Sequence, residues 1–205
     1  MRFDNTLTQA QVRQTWNALG CAGAWSRPQV QDGLIFGLLL DTGLRPREAA
    51  NLKWRNLSLL NDAGGIIEVP ETYAKRGRAR QVAMTTRLDR LICIWTHLRQ
   101  QPVLIDCEHW LFPGASRYKP ITVRTLQRAV DRWGRQHLGT SVHPYRLRHT
   151  YATQLLRVAN LRVVQDALGH RSITSTQVYT HVQPQDILDG TRAYEAATAT
   201  VTDAA

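Results

Sequence analysis

Apolar residues recur at helical spacing through most of this chain, and a β-type pattern interrupts them only once, between residues 57 and 84. Within 28–42 the apolar residues fall three and four positions apart, as on one face of a helix. Within 57–84, turn-forming residues at 61–65 precede the β-prone run 66–69, and Gly77 precedes a second such run, 81–84. We therefore predict a mainly α-helical fold with one small antiparallel β-sheet.

Capping residues and glycines mark where the predicted helices begin and end. Thr8 and Gln11 have the spacing of a capping box, and Gly43 suits the left-handed end of the helix over 28–42. Asn160 can cap a helix that Gly169 ends. Further helices are expected over 46–52, 86–99 and 121–137, and Ser172 is expected to cap another short helix.

The charge of the chain points to a polyanionic partner. It has 26 basic and 16 acidic residues, a formal net charge of +10, and its only lysines are Lys53, Lys75 and Lys119. Arginine suits phosphate because its planar guanidinium donates two parallel hydrogen bonds. DNA or RNA is the favoured partner, although the charge alone is also compatible with a basic protein that binds neither.

Cysteine usage indicates a reducing compartment, and hydropathy argues against a membrane-spanning segment. Cys21, Cys93 and Cys107 form neither an even disulfide set nor a CxxC metal pair, so we predict that they are small core residues. The six tryptophans have mostly core-like spacing. The longest apolar run, near residues 34–40, is too short to span a bilayer, and we expect a cytoplasmic protein without a membrane partner.

Three sequence strings carry the chemical signal. They are DTGLRPREAANLKW (41–54), HPYRLRHTYATQLL (143–156) and LGHRSITSTQVYTHV (168–182). In this order they resemble the tyrosine recombinase, or phage integrase, family, and the resemblance covers roughly residues 7–190. It implies an enzyme that cleaves and rejoins DNA strands through a 3′-phosphotyrosine intermediate, acting as a site-specific recombinase or integrase of the kind found in mobile elements.

The resemblance also implies the catalytic residues. Tyr179 corresponds to the nucleophile, Arg45 and Arg148 to the two arginines that oppose charge on the phosphate, Lys75 to the general acid, and His170 to the late histidine. Fixed guanidinium groups lower the barrier where the five-coordinate phosphorus develops negative charge. A phenol has a pKa near 10, so the nucleophile needs positive charge or a proton acceptor beside it.

One position departs from the family pattern. Tyr145 stands where most relatives carry a histidine three residues before the second arginine. Because residues three apart share a helix face, this phenol can still donate a hydrogen bond to a phosphate oxygen. His143 and Arg146 also spell H-x-x-R, but the flanking LRHTYATQLL places the family register on Arg148.

Supporting and DNA-binding roles are expected for residues around these motifs. Glu48 is expected to support an arginine, and His149 to pack beside Arg148. The basic run supplies the expected DNA contacts, which are Arg76, Arg78 and Arg80. The four histidines at 143, 149, 170 and 181 lack metal-site spacing, and the resemblance implies neither a metal nor another cofactor.

The resemblance further implies the assembly and leaves alternatives open. We expect a single catalytic domain over 1–205, with a core at about 7–182 and a tail at 183–205 that either passes to a neighbouring protomer or packs on its own domain. The expected partner is double-stranded DNA, bound by a homotetramer on paired sites in the bacterial nucleoid; free in solution, the protein would be a monomer or weak oligomer.

The family's N-terminal core-binding domain has no counterpart before Leu7, so the chain is either a naturally short recombinase or the catalytic portion of a longer protein. Two other functions compete with recombination. One is a catalytically weakened DNA-binding regulator, which Tyr145 favours, and the other is a type IB-like topoisomerase.

Overall fold

A computed structural model describes residues 6–59, 65–73, 79–99, 108–116 and 118–169. The elements within these ranges are mostly helical, and they include one antiparallel sheet, so the predicted fold class is confirmed. The helices are α1 (Gln9–Gly20), α2 (Arg27–Thr42), α3 (Pro46–Ala50), α4 (Thr86–Arg99), α5 (Val123–Leu138), α6 (Pro144–Leu156) and α7 (Leu161–Leu168). The strands are β1 (Leu57–Leu59), β2 (Gly65–Val69) and β3 (Arg80–Met84).

The predicted helix ends are present as hydrogen bonds and backbone angles. Thr8 Oγ1 accepts from the Gln11 amide at 3.2 Å, and the Thr8 amide donates to Gln11 Oε1 at 3.0 Å. The Asn160 side chain caps α7. Gly43 and Gly169 end α2 and α7 with φ of 60° and 62°, a region that glycine enters without steric cost.

Helix α3 ends two residues before the predicted position. The Leu52 carbonyl accepts from the Leu111 amide at 2.8 Å, and the Trp54 amide donates to the His109 carbonyl at 3.0 Å. Because these residues pair with a distant segment, the chain leaves the helical path after Ala50. The local pattern contained no sign of this long-range pairing.

The centre of the fold is α2. All of its residues from Gly33 to Thr42 are buried, and it packs against α4, α5 and α6. The buried run continues beyond the helix through Gly43 and Leu44, so the C-terminal turn of α2 lies among other elements and not at the surface. This places the segment after Gly43 where residues from several helices can reach it.

The three strands form an antiparallel sheet in the order β1-β2-β3. Ile67 in the middle strand lies opposite Leu57 on one side and Val82 on the other. Val82 and Met84 are buried, and β3 contacts both α2 and α7. The inward face of β3 therefore meets the two helices whose glycine ends were predicted from the sequence.

The prediction that the cysteines are core residues was wrong for the two that the structure describes. Cys21 and Cys93 are exposed free thiols, while Cys107 lies outside the described residues. Cys21 lies two residues after Leu19, the last buried residue of α1, and Cys93 lies on the outer face of α4 between the inward-facing Ile92 and Trp95.

The prediction for the tryptophans is confirmed. Trp54, Trp95 and Trp133 are buried, and Trp16, Trp25 and Trp110 are half-buried. Within the described residues, no helix has both the length and the apolar character needed to cross a bilayer.

Candidate active site

Arg148 joins the three sequence motifs. Its side chain extends from α6, the residue is only 4% exposed, and its guanidinium donates to two backbone carbonyls. Nη1 donates to the Gly43 carbonyl at 2.5 Å, and Nη2 donates to the Leu168 carbonyl at 2.8 Å. Gly43 belongs to the first motif and Leu168 opens the third. One side chain of the second motif therefore contacts both of the others.

Arg45 follows the glycine turn and precedes α3. Its amide donates to Glu48 Oε2 at 2.8 Å, and its Nη1 donates to Glu48 Oε1 at 2.9 Å. Pro46, in the first turn of α3, fixes the backbone angle needed to start the helix. The Arg45 side chain is 17% exposed, and within the part of the chain that the structure describes it bonds only to Glu48. Its other N–H donors therefore have no partner among the described residues.

Glu48 is shared by two arginines. Arg80, the first residue of β3, donates from Nη1 to Glu48 Oε1 at 2.9 Å and from Nη2 to Glu48 Oε2 at 2.7 Å. The two side chains are 8% and 1% exposed. Burial alone would raise the pKa of Glu48, but the hydrogen bonds and charges of Arg80, together with those of Arg45, lower it below its ordinary value. The carboxylate is therefore ionised at neutral pH.

Arg80 was expected to contact DNA, and in the fold its guanidinium is surrounded by protein groups. Its guanidinium is bonded to a buried carboxylate, and its Nε donates to the Ala167 carbonyl at 3.2 Å. The sequence did contain a signal for this position. Arg80 alternates with Val82 and Met84, and residues two apart on a strand share a face, so Arg80 belongs to the inward face of β3.

The start of α6 distinguishes the two possible registers, His143 with Arg146 and Tyr145 with Arg148. Arg146 Nη2 donates to the Thr6 carbonyl at 3.2 Å, away from the first and third motifs, whereas Arg148 contacts both motifs. Tyr145 is 50% exposed, and its ring stacks against His143 with centroids 5.7 Å apart and planes 11° from parallel. Its amide donates to His143 Nδ1 at 3.4 Å.

Two further titratable groups lie near Arg148. Burial, followed by the charge of Arg148, lowers the pKa of His149, which favours its neutral form. Tyr151 packs against the Gly43 turn and was not singled out from the sequence. Burial and then the negative charge of Asp41 raise the pKa of its hydroxyl, despite the opposing charges of Arg148 and Arg80.

The remaining predicted site residues lie outside the described residues. They are Lys75, Arg76, Arg78, His170 and Tyr179, together with the helix expected after Ser172 and the tail at 183–205. Their roles stay predictions. Among the residues that are described, no three His, Cys, Asp or Glu side chains lie together as a metal site would need.

The described part of the site has the charge and the hydrogen-bond donors that a phosphate group requires. Arg45 and Arg80 share the single carboxylate of Glu48, which leaves one positive charge in excess, and Arg148 lies at the adjoining turn. Guanidinium groups held in fixed positions match the geometry of phosphate oxygens. The arrangement is suited to stabilising charge on a phosphodiester during transesterification.

The comparisons with known proteins agree on one protein family. Residues 5–186 match the phage integrase family. The tyrosine recombinase XerC of Pseudomonas entomophila is 32% identical over 158 residues, which make up 77% of this chain and 50% of that protein. The chain thus spans about half the length of the curated relatives that it matches.

Solved structures share the fold. The crystal structure of XerA recombinase is 25% identical, with a TM-score of 0.71 over 92% of this chain and 64% of that one. A crystal structure of XerH site-specific recombinase, bound to difH substrate in a pre-cleavage complex, is 21% identical. Its TM-score is 0.72 over 95% of this chain and 55% of that one.

Proposed function

This chain belongs to the phage integrase family, and from that premise we propose that it is a site-specific DNA recombinase that cleaves and rejoins strands through a 3′-phosphotyrosine. The observation that carries the proposal is the pair of bonds from Arg148 to Gly43 and Leu168. These bonds connect the second motif to the first and the third. A catalytic centre assembled from separate motifs needs such a contact.

Arg45 and Arg148 would stabilise the transition state. As a nucleophile adds to the phosphodiester, negative charge grows on the non-bridging oxygens, and guanidinium donors fixed beforehand oppose it without reorganising. Glu48 supports this role, because its two bonds to Arg45 restrict both the backbone and the side chain of that arginine. A preorganised donor of this type contributes roughly 3 kcal/mol to lowering the barrier.

The proton transfers are assigned through the family pattern. The Tyr179 oxygen would attack phosphorus and form the phosphotyrosyl bond as the bond to the 5′-oxygen breaks. Lys75 would protonate that departing oxygen, and His170 would help the phenol lose its proton. A 5′-hydroxyl from a second strand then reverses the step and releases Tyr179.

Double-stranded DNA is the proposed partner. The net charge of +10 favours a polyanion, and two structurally similar proteins are bound to such partners: XerH recombinase to its difH substrate and the Tn1549 transposon integrase to DNA. We further propose a homotetramer on paired sites, formed by a catalytic core at about 7–182 whose tail at 183–205 contacts a neighbouring protomer. Deleting 185–205 should then abolish assembly on DNA, and retained assembly would contradict the role of the tail.

A suicide substrate tests the enzymatic proposal. The probe is a pool of nicked duplexes with randomised sequence, in which cleavage releases a short strand and traps the protein on its target. We expect a covalent adduct on a denaturing gel, absent for Tyr179→Phe. A chain that binds duplexes without forming an adduct is instead a DNA-binding regulator, and an adduct that survives Tyr179→Phe would show another nucleophile.

The substitution at position 145 permits a second test. If the catalytic register runs through Arg148, Tyr145→His should raise the rate of adduct formation, because an imidazole replaces the half-exposed phenol. The matched control is His143→Tyr, which alters the neighbouring H-x-x-R sequence. A larger effect of the control on the cleavage rate would favour the alternative register through Arg146.

A further inference from the structure

Arg80 connects three parts of the fold through one side chain. Its two terminal nitrogens bond to both oxygens of Glu48, at 2.9 and 2.7 Å, and its Nε donates to the Ala167 carbonyl at 3.2 Å. It therefore contacts the α3 carboxylate that holds Arg45 and the last turn of α7. The side chain is only 8% exposed, so solvent does not compete strongly for these bonds.

The end of α7 is shaped to fit this side chain. Gly169 has a φ of 62°, and a Cβ atom placed on it would lie 2.9 Å from Arg80 Cδ and 3.1 Å from Arg80 Nε. A larger residue would therefore be strained by its backbone angle and would also press on the guanidinium. The glycine serves both the helix end and the close approach of Arg80.

Two arginines hold the last turn of α7 from different elements. Arg80 bonds to the Ala167 carbonyl, and Arg148 bonds to the Leu168 carbonyl. Carbonyls in the last turn of a helix have no partner within the helix, and cations there also interact favourably with the helix dipole. These two bonds therefore fix the last turn of α7 relative to the stretch from Gly43 to Glu48, which contains Arg45.

We propose that Arg80 is a positioning residue of the strand-cleavage site, acting through Glu48 on Arg45 and through α7 on the start of the third motif. The inference rests on the proposed function. Arg80 touches no phosphate in this role. A bidentate pair fixes both carboxylate oxygens of Glu48, so the bond from Glu48 to Arg45 keeps one geometry. Small displacements of a catalytic group are costly to rate, which is why such a residue matters.

The experiment separates positioning from DNA binding and from folding. Arg80→Met, Arg80→Lys and Glu48→Gln are made in the full chain, singly and as Glu48→Gln with Arg80→Met. Arg13→Met is the control for loss of one positive charge, because Arg13 is exposed on α1. Single-turnover adduct formation at saturating duplex and the Kd for the same duplex are measured below the melting temperature of every variant.

We expect Arg80→Met to lower the saturating rate about 10- to 100-fold while the Kd changes by no more than about threefold. Arg80→Lys should recover part of the rate, since an ammonium retains the charge but forms one bond where the guanidinium forms two. In the Glu48→Gln background, Arg80→Met should cost only about twofold more, because both changes break one connection. Arg13→Met should leave the saturating rate unchanged.

The opposite results overturn the inference. A variant lacking Arg80 with the wild-type rate would show that the contact is dispensable, and a rise in Kd at constant rate would make Arg80 a DNA contact. Independent, multiplying losses from Arg80 and Glu48 would exclude action through Glu48. If the wild-type chain forms no adduct, the proposed function and this inference fail together, whereas an unaffected variant leaves the function standing.

Discussion

The two arginines predicted to face the phosphate are held in different ways. Arg45 is held by the Glu48 carboxylate three residues away, whereas Arg148 is held by two backbone carbonyls, 105 and 20 residues away. The first arrangement depends on the ionisation of a side chain, and the second on how helices and turns pack. The same chemical group is therefore sensitive to charge in one place and to backbone position in the other.

The largest expected effect comes from exchanging each arginine for lysine. Arg148→Lys should lower the rate of adduct formation about 10²- to 10³-fold, because an ammonium cannot span both carbonyls and face a phosphate. It should also lower the free energy of unfolding by roughly 1–3 kcal/mol, since buried carbonyls lose a partner. Arg45→Lys is the matched variant. For both variants, denaturant melts measure the free energy of unfolding and suicide-substrate cleavage measures the rate. A greater loss of stability for Arg45→Lys would reverse the comparison.

Removing the charge of Glu48 tests the carboxylate anchor. Glu48→Gln should cost about 3 kcal/mol in the free energy of unfolding, because two arginines then lack the buried charge that compensates them. The matched control is Glu108→Gln, since Glu108 also bridges two cations, Lys53 and Arg55, but at the surface. Chemical denaturation measures both. Equal losses would mean that burial does not determine the strength of the anchor.

Two glycines with the same backbone angle test the backbone anchor. Gly43→Ala and Gly139→Ala both place a Cβ at positive φ, 60° and 66°, which costs about 1–2 kcal/mol in each case. At Gly43 the new atom would also lie 2.4 Å from Tyr151 Cδ1, while at Gly139 nothing lies within 4 Å. Gly43→Ala should therefore lose about 1–2 kcal/mol more. Thermal melts of the pair measure the difference, and equal losses would show that Tyr151 moves aside freely.

The smallest expected effect is a pH dependence on the Arg148 side. Because burial and Arg148 lower the folded-state pKa of His149, the unfolded state binds a proton more readily. The contribution of His149 to stability is therefore complete above the ordinary histidine pKa of about 6.5 and is lost as the pH falls below it. His149→Asn should reduce the fall in stability between about pH 7.5 and 5.5. His97→Asn, on the exposed face of α4, is the control for loss of a histidine, and a reduction as large as that of His149→Asn would contradict the assignment to His149.

Much of the fold followed from local patterns, and the exceptions share a cause. The start of α1, the end of α2 and both ends of α7 were predictable because capping side chains and left-handed glycines act within a few residues. The early end of α3 and the exposed cysteines were not, because they depend on a distant strand-like segment and on which way α4 faces the core. Local periodicity predicts an element, but it does not predict the element's neighbours.

The sequence by itself determined the mainly helical class, and it placed Glu48 three residues after Arg45, where this carboxylate was expected to support an arginine. Only the tertiary structure decided that Arg148 bonds to both other motifs and that the partner of Arg80 is Glu48. The physical reason is the range of the interactions. Caps and short-range ion pairs form within one turn of chain, whereas the contacts of Arg148 and Arg80 exist only after buried helices bring distant carbonyls and carboxylates together.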